Sequence, residues 1–234
     1  MKELLCVIPA RGNSKGIERK NVKKLNGNPL IFYAINSAIK SSFVTRLVVS
    51  TENQEIADLA TKFGADVPFL RPKSLSQDNI HSVFPVIDML KKLEQKENYI
   101  PDGVMMFLPT SPLTTEKHLD DAINLFFNKR RNVISVTEYD KPLSAIRLIK
   151  KEKLIPVIET NNYNIQRQNY KHYIVNAAIY ISTPKKLINN QTFHIPDISP
   201  YIMEKKFSID INDILDFQIC ESILLNNQKI NNKK

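Results

Sequence analysis

Arg11-Gly12-Asn13-Ser14-Lys15-Gly16-Ile17-Glu18-Arg19-Lys20-Asn21 follows an unbroken apolar run, Leu4-Leu5-Cys6-Val7-Ile8-Pro9. Arg11, Lys15, Arg19 and Lys20 crowd into this loop with a single acid, Glu18. Gly12 and Gly16 are two of the five glycines in the chain. Glycine allows close backbone approach and positive φ. Successive N–H groups in such a loop make a cradle for an anion. Arg11 and Lys15 add forked and point charge suited to phosphate oxygens. The loop lacks the Gly-x-x-x-x-Gly-Lys-Ser/Thr and Gly-x-Gly-x-x-Gly spacings, so neither of those phosphate motifs applies. A solvated basic turn is the bland alternative. Phosphate binding accounts better for scarce glycine placed straight after the first strand, where parallel sheets bind ligands.

The surrounding elements must hold this loop in place. Leu4–Pro9 has no alternation, as expected of a buried parallel strand. Leu30–Ser41 carries Ile31, Ala34, Ile35, Ala38 and Ile39 at helical spacing. Arg46–Ser50 reads as a strand. Thr51-Glu52-Asn53 reads as a loop and cap before a helix at Glu55–Phe63, with Gly64 as its C-cap. Asp66–Leu70 is a third strand candidate. Val83–Gln95 reads as a helix, Gly103–Leu108 as a strand, Thr115–Lys129 as a helix and Asn132–Glu138 as a strand. This alternation predicts an α/β fold with a mostly parallel sheet and helices on both faces. The periodicity fades over 140–172, apart from strand signals such as Ile146-Arg147-Leu148-Ile149. Tyr173–Ile181 is again a strong strand. Glu204–Ile209 leads to a helix at Ile214–Leu225. One domain over 1–225, with an excursion at about 140–172 and a frayed polar tail at 226–234, is the economical organisation.

Composition narrows the function classes. The chain has 234 residues, 42% hydrophobic and 24% charged, which is ordinary for a soluble globular protein. No run approaches the roughly 18 apolar residues of a membrane span. The start is too short for a secretory signal, so a cytoplasmic protein is expected. Cys6 and Cys220 are expected to be buried free thiols. The net charge of +9 fits nucleic acid or a small anionic substrate. No long Lys/Arg run with interleaved aromatics is present. A nucleic-acid-binding module nevertheless stands as the rival from a different class. His81, His118, His172 and His194 lack metal-ligand spacing.

Pro9-Ala10-Arg11-Gly12-Asn13-Ser14-Lys15-Gly16-Ile17, with Lys20-Asn21, resembles the signature loop of the CMP-sialic acid synthetases (acylneuraminate cytidylyltransferases). Val49-Ser50-Thr51-Glu52 is similar to that family's Val-Ser-Thr-Asp. Leu70-Arg71-Pro72, then Leu75, Ser76 and Asp78, is similar to its Arg-Pro-x-x-Leu-x-x-Asp. Pro109-Thr110-Ser111-Pro112-Leu113 matches as it stands. Asn176-Ala177-Ala178-Ile179-Tyr180-Ile181 is similar to Asn-Gly-Ala-Ile-Tyr-Ile. Ser208-Ile209-Asp210-Ile211-Asn212, with Asp216 and Glu221 after it, is similar to the family's closing block.

The resemblance implies a Rossmann-like nucleotidyltransferase sheet with a small dimerisation excursion. It implies transfer of CMP from CTP to the anomeric hydroxyl of a nine-carbon keto-sugar acid, with release of pyrophosphate. Arg11 and Lys15 then hold the CTP phosphates. Ala10, Gly12 and Asn21 belong to the nucleotide loop, and Arg71 and Ser82 match positions that contact the cytidine part. Asp210 matches a metal-binding aspartate, with Mg²⁺ as the expected cofactor and Asn212 as a second ligand. An Asp-x-Asn pair on an extended segment puts both side chains on one face. Leu108, Thr110, Ser111, Arg167, Tyr180 and Phe193 match positions around the sugar. A homodimer is expected, and neither nucleic acid nor membrane is an expected partner.

The departures from the family pattern carry information. Asn212 replaces an aspartate, which points to weaker metal binding or a larger role for Asp213 or Asp216. Leu108 replaces a glutamine that faces the sugar. An apolar side chain cannot pair a buried sugar hydroxyl, which favours a less hydroxylated, legionaminic-type acid. Thr114 replaces an arginine, Ala177 a glycine, and Arg167-Gln168 lacks its following proline. The runner-up within the enzyme class is a Kdo or amino-Kdo cytidylyltransferase. Nucleotide binding without catalysis is a third reading.

Overall fold

The computed structural model describes residues 2–141, 145–157 and 171–231. In chain order the elements are β1 (Leu4–Pro9), β2 (Lys24–Leu25), β3 (Asn28–Pro29), α1 (Leu30–Lys40), β4 (Arg46–Ser50), α2 (Gln54–Lys62), α3 (Val83–Glu97) and β5 (Gly103–Phe107). They continue with α4 (Glu116–Lys129), β6 (Asn132–Tyr139), β7 (Arg147–Lys150), β8 (Lys153–Pro156), β9 (His172–Ser182), α5 (Pro184–Asn190), β10 (Ile198–Met203) and α6 (Ile214–Asn231).

The main sheet has the order β10-β6-β9-β5-β1-β4. β1 runs parallel to β4 and β5, and β10 runs parallel to β6. β9 is antiparallel to both neighbours. The unbroken apolar run of β1 is explained by burial on two sides. Leu4, Cys6 and Ile8 pack with α1, α2 and α4, whereas Leu5 and Val7 pack with α3 and α5. Helices therefore cover both faces, as the alternating pattern predicts. A third cluster joins Phe217 and Cys220 of α6 to Ile17, Leu113 and Ile211, so α6 clasps the loops at one end of the sheet. Cys6 and Cys220 are buried free thiols.

The α/β framework matches expectation, with local corrections. Asp66–Leu70 is not a strand; only Asp66 bridges to Val48. Pro68 has no N–H to continue a ladder there. β10 and α5 were not anticipated. Pro200 interrupts the strand signal of β10, yet it is tolerated because β10 lies at the sheet edge. α5 is a short helix capped by Thr183 and opened by Pro184.

β9 changes register against β6 between Ile134 and Val136. On the opposing strand Ala177 has φ +58°. The left-handed region costs a side-chain-bearing residue about 1–2 kcal/mol. Ala177→Gly removes that strain but loosens the unfolded chain. We expect a net gain of about 0.5–1 kcal/mol, read as a rise of a few degrees in Tm. Thermal unfolding checks it, and a lower Tm in the variant contradicts it.

Candidate active site

β1, β4 and β5 point their carboxyl ends the same way, and the loops that follow them converge there. They enclose a cavity of about 540 Å³. Arg11, Lys15, Lys20 and Asn21 line it from the first loop. Arg71, Asp78 and Ser82 line it from the segment before α3. Leu108, Thr110 and Asn212 complete the wall used below.

The glycines act through close approach. A Cβ at Gly16 would lie 2.0 Å from the carbonyl oxygen of Asn212, and one at Gly12 would lie 2.9 Å from the Asn53 amide. Positive φ, the other use expected of them, occurs among glycines only at Gly27 and Gly64 within the described residues. The amide cradle also needs correction. Gly12 N–H donates to Glu52 Oε1 at 2.7 Å, so an internal carboxylate already takes it. Ala10 is fully buried and its N–H donates to the Ser50 carbonyl, which keeps it beneath the cavity wall. Asn21 is buried and donates from Nδ2 to the Arg11 carbonyl at 2.8 Å, bracing the loop. Arg11 Nη1 meets Asp78 Oδ1 at 2.7 Å, and Lys15 Nζ lies 3.4 Å from Asp78 Oδ2. Both cations thus face one carboxylate where the resemblance places phosphate.

Arg71 is buried in an ion pair with Glu52. Burial pushes the Glu52 carboxyl up, but Gly12 N–H, the Ser76 hydroxyl and Arg71 outweigh it and hold it below its ordinary value. Burial also lowers the Lys20 ammonium, against the charge of Asp210. Lys20 Nζ donates to the Ile211 carbonyl at 2.7 Å, and Ile211 N–H donates to the Thr110 carbonyl at 2.8 Å. These bonds hold the Asp210–Asn212 segment between the first loop and the loop after β5.

Asn212 Nδ2 lies 3.1 Å from Asp210 Oδ2, so the two side chains share a face as period two requires. A carboxylate beside an amide can offer oxygen donors, which fits a hard cation such as Mg²⁺. Among the described residues no three His, Cys, Asp or Glu side chains gather into a metal cage. Asp213 and Asp216 are spent on the start of α6. Asp213 Oδ1 accepts the N–H groups of Leu215 and Asp216, and Asp216 Oδ2 accepts those of Asn212 and Asp213. They cap rather than add to the pair.

The expected sugar residues divide. Leu108 and Thr110 reach the cavity. Ser111 is 1% exposed and lies under it. Phe193 and Tyr180 pack together in the core at 5.6 Å, because that side of β9 faces α3 and α5. Burial pushes the Tyr180 hydroxyl up to about 12, and Asp210 adds to the effect. Arg167 and Gln168 lie outside the described residues. Lys20, Glu52 and Asp78 had no assigned role beforehand. Their signal was position, since each falls inside one of the motif blocks.

A model of the cytidylyltransferase family matches residues 5–229. The chain is 33% identical over 228 residues to CMP-N,N'-diacetyllegionaminic acid synthase of Legionella pneumophila, covering 97% of this chain and 98% of that one. It is 31% identical over 219 residues to pseudaminic acid cytidylyltransferase of Campylobacter jejuni, covering 93% of this chain and 94% of that one. CMP:2-keto-3-deoxy-manno-octonic acid synthetase complexed with CTP has the same fold, with a TM-score of 0.74 at 11% identity over 97% of this chain and 100% of that one. The family match spans nearly the whole sequence and the relatives align end to end, so the chain belongs to the cytidylyltransferase family.

Proposed function

We propose that the protein transfers CMP from CTP to the anomeric hydroxyl of a nonulosonic acid, with a legionaminic-type acid as the preferred acceptor. The observation that carries this is one cavity in which Arg11, Lys15, Arg71, Ser82, Leu108, Thr110 and Asn212 meet at the carboxyl ends of β1, β4 and β5. The sugar oxygen attacks the α-phosphorus, and a new P–O bond forms as the α–β bridging P–O bond breaks. Pyrophosphate leaves and the hydroxyl proton passes to solvent or base. Arg11 and Lys15 leave Asp78 for the triphosphate and neutralise the departing charge. Asn21 braces the loop that carries them. Arg71 and Ser82 hold the cytidine end. Asp210 and Asn212 hold Mg²⁺, which supplies charge neutralisation at the phosphates. The free thiols and the use of CTP support a cytoplasmic enzyme.

Leu108 supports the choice of acid. It is half-buried on the cavity wall, where it offers apolar contact and no hydrogen bond. Pyrophosphate release should be measured with N-acetylneuraminate, di-N-acetyl-legionaminate, pseudaminate, Kdo and no sugar. We expect kcat/KM for di-N-acetyl-legionaminate to exceed that for N-acetylneuraminate by about 10-fold or more. Leu108→Gln should narrow the gap. A preference for N-acetylneuraminate overturns the legionaminic reading, and a preference for Kdo overturns the nonulosonic one.

The homodimer is part of the same proposal. Leu148, Ile149 and Leu154 of the β7–β8 hairpin are 58%, 81% and 70% exposed. Ile174 of β9 and Ile202 of β10 are also exposed. A second copy of the chain covers this apolar surface. Ile149→Asp with Leu154→Asp is expected to give a monomer by sedimentation. A monomeric wild type contradicts the proposal.

A further inference from the structure

Glu52 stands at the end of β4 and does not line the cavity, yet two parts of the site hang from its carboxylate. Oε1 accepts the Gly12 N–H at 2.7 Å. Oε2 accepts Arg71 Nη2 at 2.8 Å and Nε at 3.2 Å. Oε2 also accepts the Ser76 hydroxyl at 2.7 Å. Arg71 Nε reaches Ser76 Oγ at 2.8 Å, and the Arg71 N–H donates to the Thr51 carbonyl at 2.9 Å. The Glu52 and Arg71 side chains are 15% and 3% exposed.

The arrangement has two consequences. Gly12 directly follows Arg11, so fixing the Gly12 amide fixes the point from which Arg11 enters the cavity. The Nε–Nη2 edge of Arg71 is committed to Glu52 and Ser76, which leaves Nη1 for a ligand. A buried arginine with a free rotamer would have to be ordered at the moment of binding, and such ordering weakens affinity. A carboxylate that is itself fixed by Gly12 N–H and the Ser76 hydroxyl removes that cost in advance.

We infer that Glu52 is a positioning residue for nucleotide binding: it locks the loop carrying Arg11 and the Arg71 guanidinium into one geometry before CTP enters. The inference rests on the CTP-binding reading above. Glu52 touches no reacting atom. It acts before CTP enters, by ordering Arg71 and the Gly12 amide in advance, so its loss appears in KM more than in kcat, with only the share passed on through Arg11 falling on kcat.

The test compares wild type, Glu52→Gln and Glu52→Asp by CTP calorimetry, steady-state pyrophosphate release and thermal unfolding. Glu52→Gln is expected to raise the Kd and KM for CTP by about 10-fold or more, with kcat changed by less than about 3-fold. Glu52→Asp restores the charge and is expected to recover most of the lost affinity. A residue that only stabilises the fold lowers Tm and leaves the KM for CTP, measured well below Tm, unchanged. That result overturns the inference, as does a Glu52→Asp variant no better than Glu52→Gln. If Glu52→Gln does not fold, Ser76→Ala carries the test: a KM raised by about 3-fold is expected, and an unchanged KM overturns the inference. A wild type that neither binds CTP nor releases pyrophosphate defeats the cytidylyltransferase reading instead. A wild type that binds CTP, alongside variants of equal affinity, defeats this inference alone.

Discussion

Arg11→Ala is expected to lower kcat/KM for CTP by about 10²–10³-fold, the usual cost of deleting one preorganised donor to developing charge. The side chain is 32% exposed and the peptide unit that follows it is held at both polar atoms, by Asn21 at the Arg11 carbonyl and by Glu52 at the Gly12 amide. Little reorganisation is needed to present it to a triphosphate. Part of the loss should fall on kcat, because the leaving pyrophosphate gains charge as the bridging bond breaks. Asp78 supplies a control of opposite sign. It pairs with Arg11 and Lys15, and CTP must displace it. At 50% exposure such pairs contribute about 0.2–1 kcal/mol, so Asp78→Asn should lower the KM for CTP by about 2- to 5-fold. Steady-state kinetics at varied CTP measures both variants. An Arg11→Ala enzyme within about 5-fold of wild type would place the charge neutralisation elsewhere.

Much of this arrangement is legible in the sequence. The apolar run Leu4–Pro9 and the periodic helices around it gave the parallel sheet, since burial on two faces leaves a plain hydrophobic signature. The blocks around Arg11, Arg71, Thr110 and Asp210 do line or adjoin one cavity. Other features were hidden for identifiable reasons. Pro200 masks β10, because an edge strand tolerates a residue that a central strand does not. The partner of the Gly12 amide could not be read locally, because Glu52 is forty positions away and meets it only through the pairing of β1 with β4. Ala177 stands where the resembling family has glycine, and only the fold, with its register shift between β9 and β6, shows that the position takes a positive φ. Phe193 and Tyr180 were expected at the sugar, but alternation along β9 turns Tyr180 into the core, and Phe193, in the loop after α5, packs against it there.

Asp210→Ala is expected to lower kcat by about 10²–10³-fold at saturating CTP, with a smaller effect on CTP affinity. The argument starts from how little else at this point carries negative charge for a cation. Asp213 and Asp216 accept backbone N–H groups at the start of α6, and Asn212 is neutral. Asp210 is thus the one carboxylate of the pair, with Lys20 close enough for its ammonium to feel the charge. Removing it leaves Lys20 beside an amide, which opposes cation binding further. The measurement is kcat against free Mg²⁺. Asp210→Ala should shift the half-saturating Mg²⁺ upward by about 10-fold or more, the scale of one lost charged ligand. Asn212→Asp should shift it downward. The restored carboxylate would lie near the Asp210 oxygen that Asn212 now meets at 3.1 Å, so without cation the like charges repel. That repulsion should appear as a lower Tm in chelator, recovered on adding Mg²⁺. An Asp210→Ala enzyme with unchanged Mg²⁺ dependence would remove the metal from this segment and leave Asp210 as a partner of Lys20 alone.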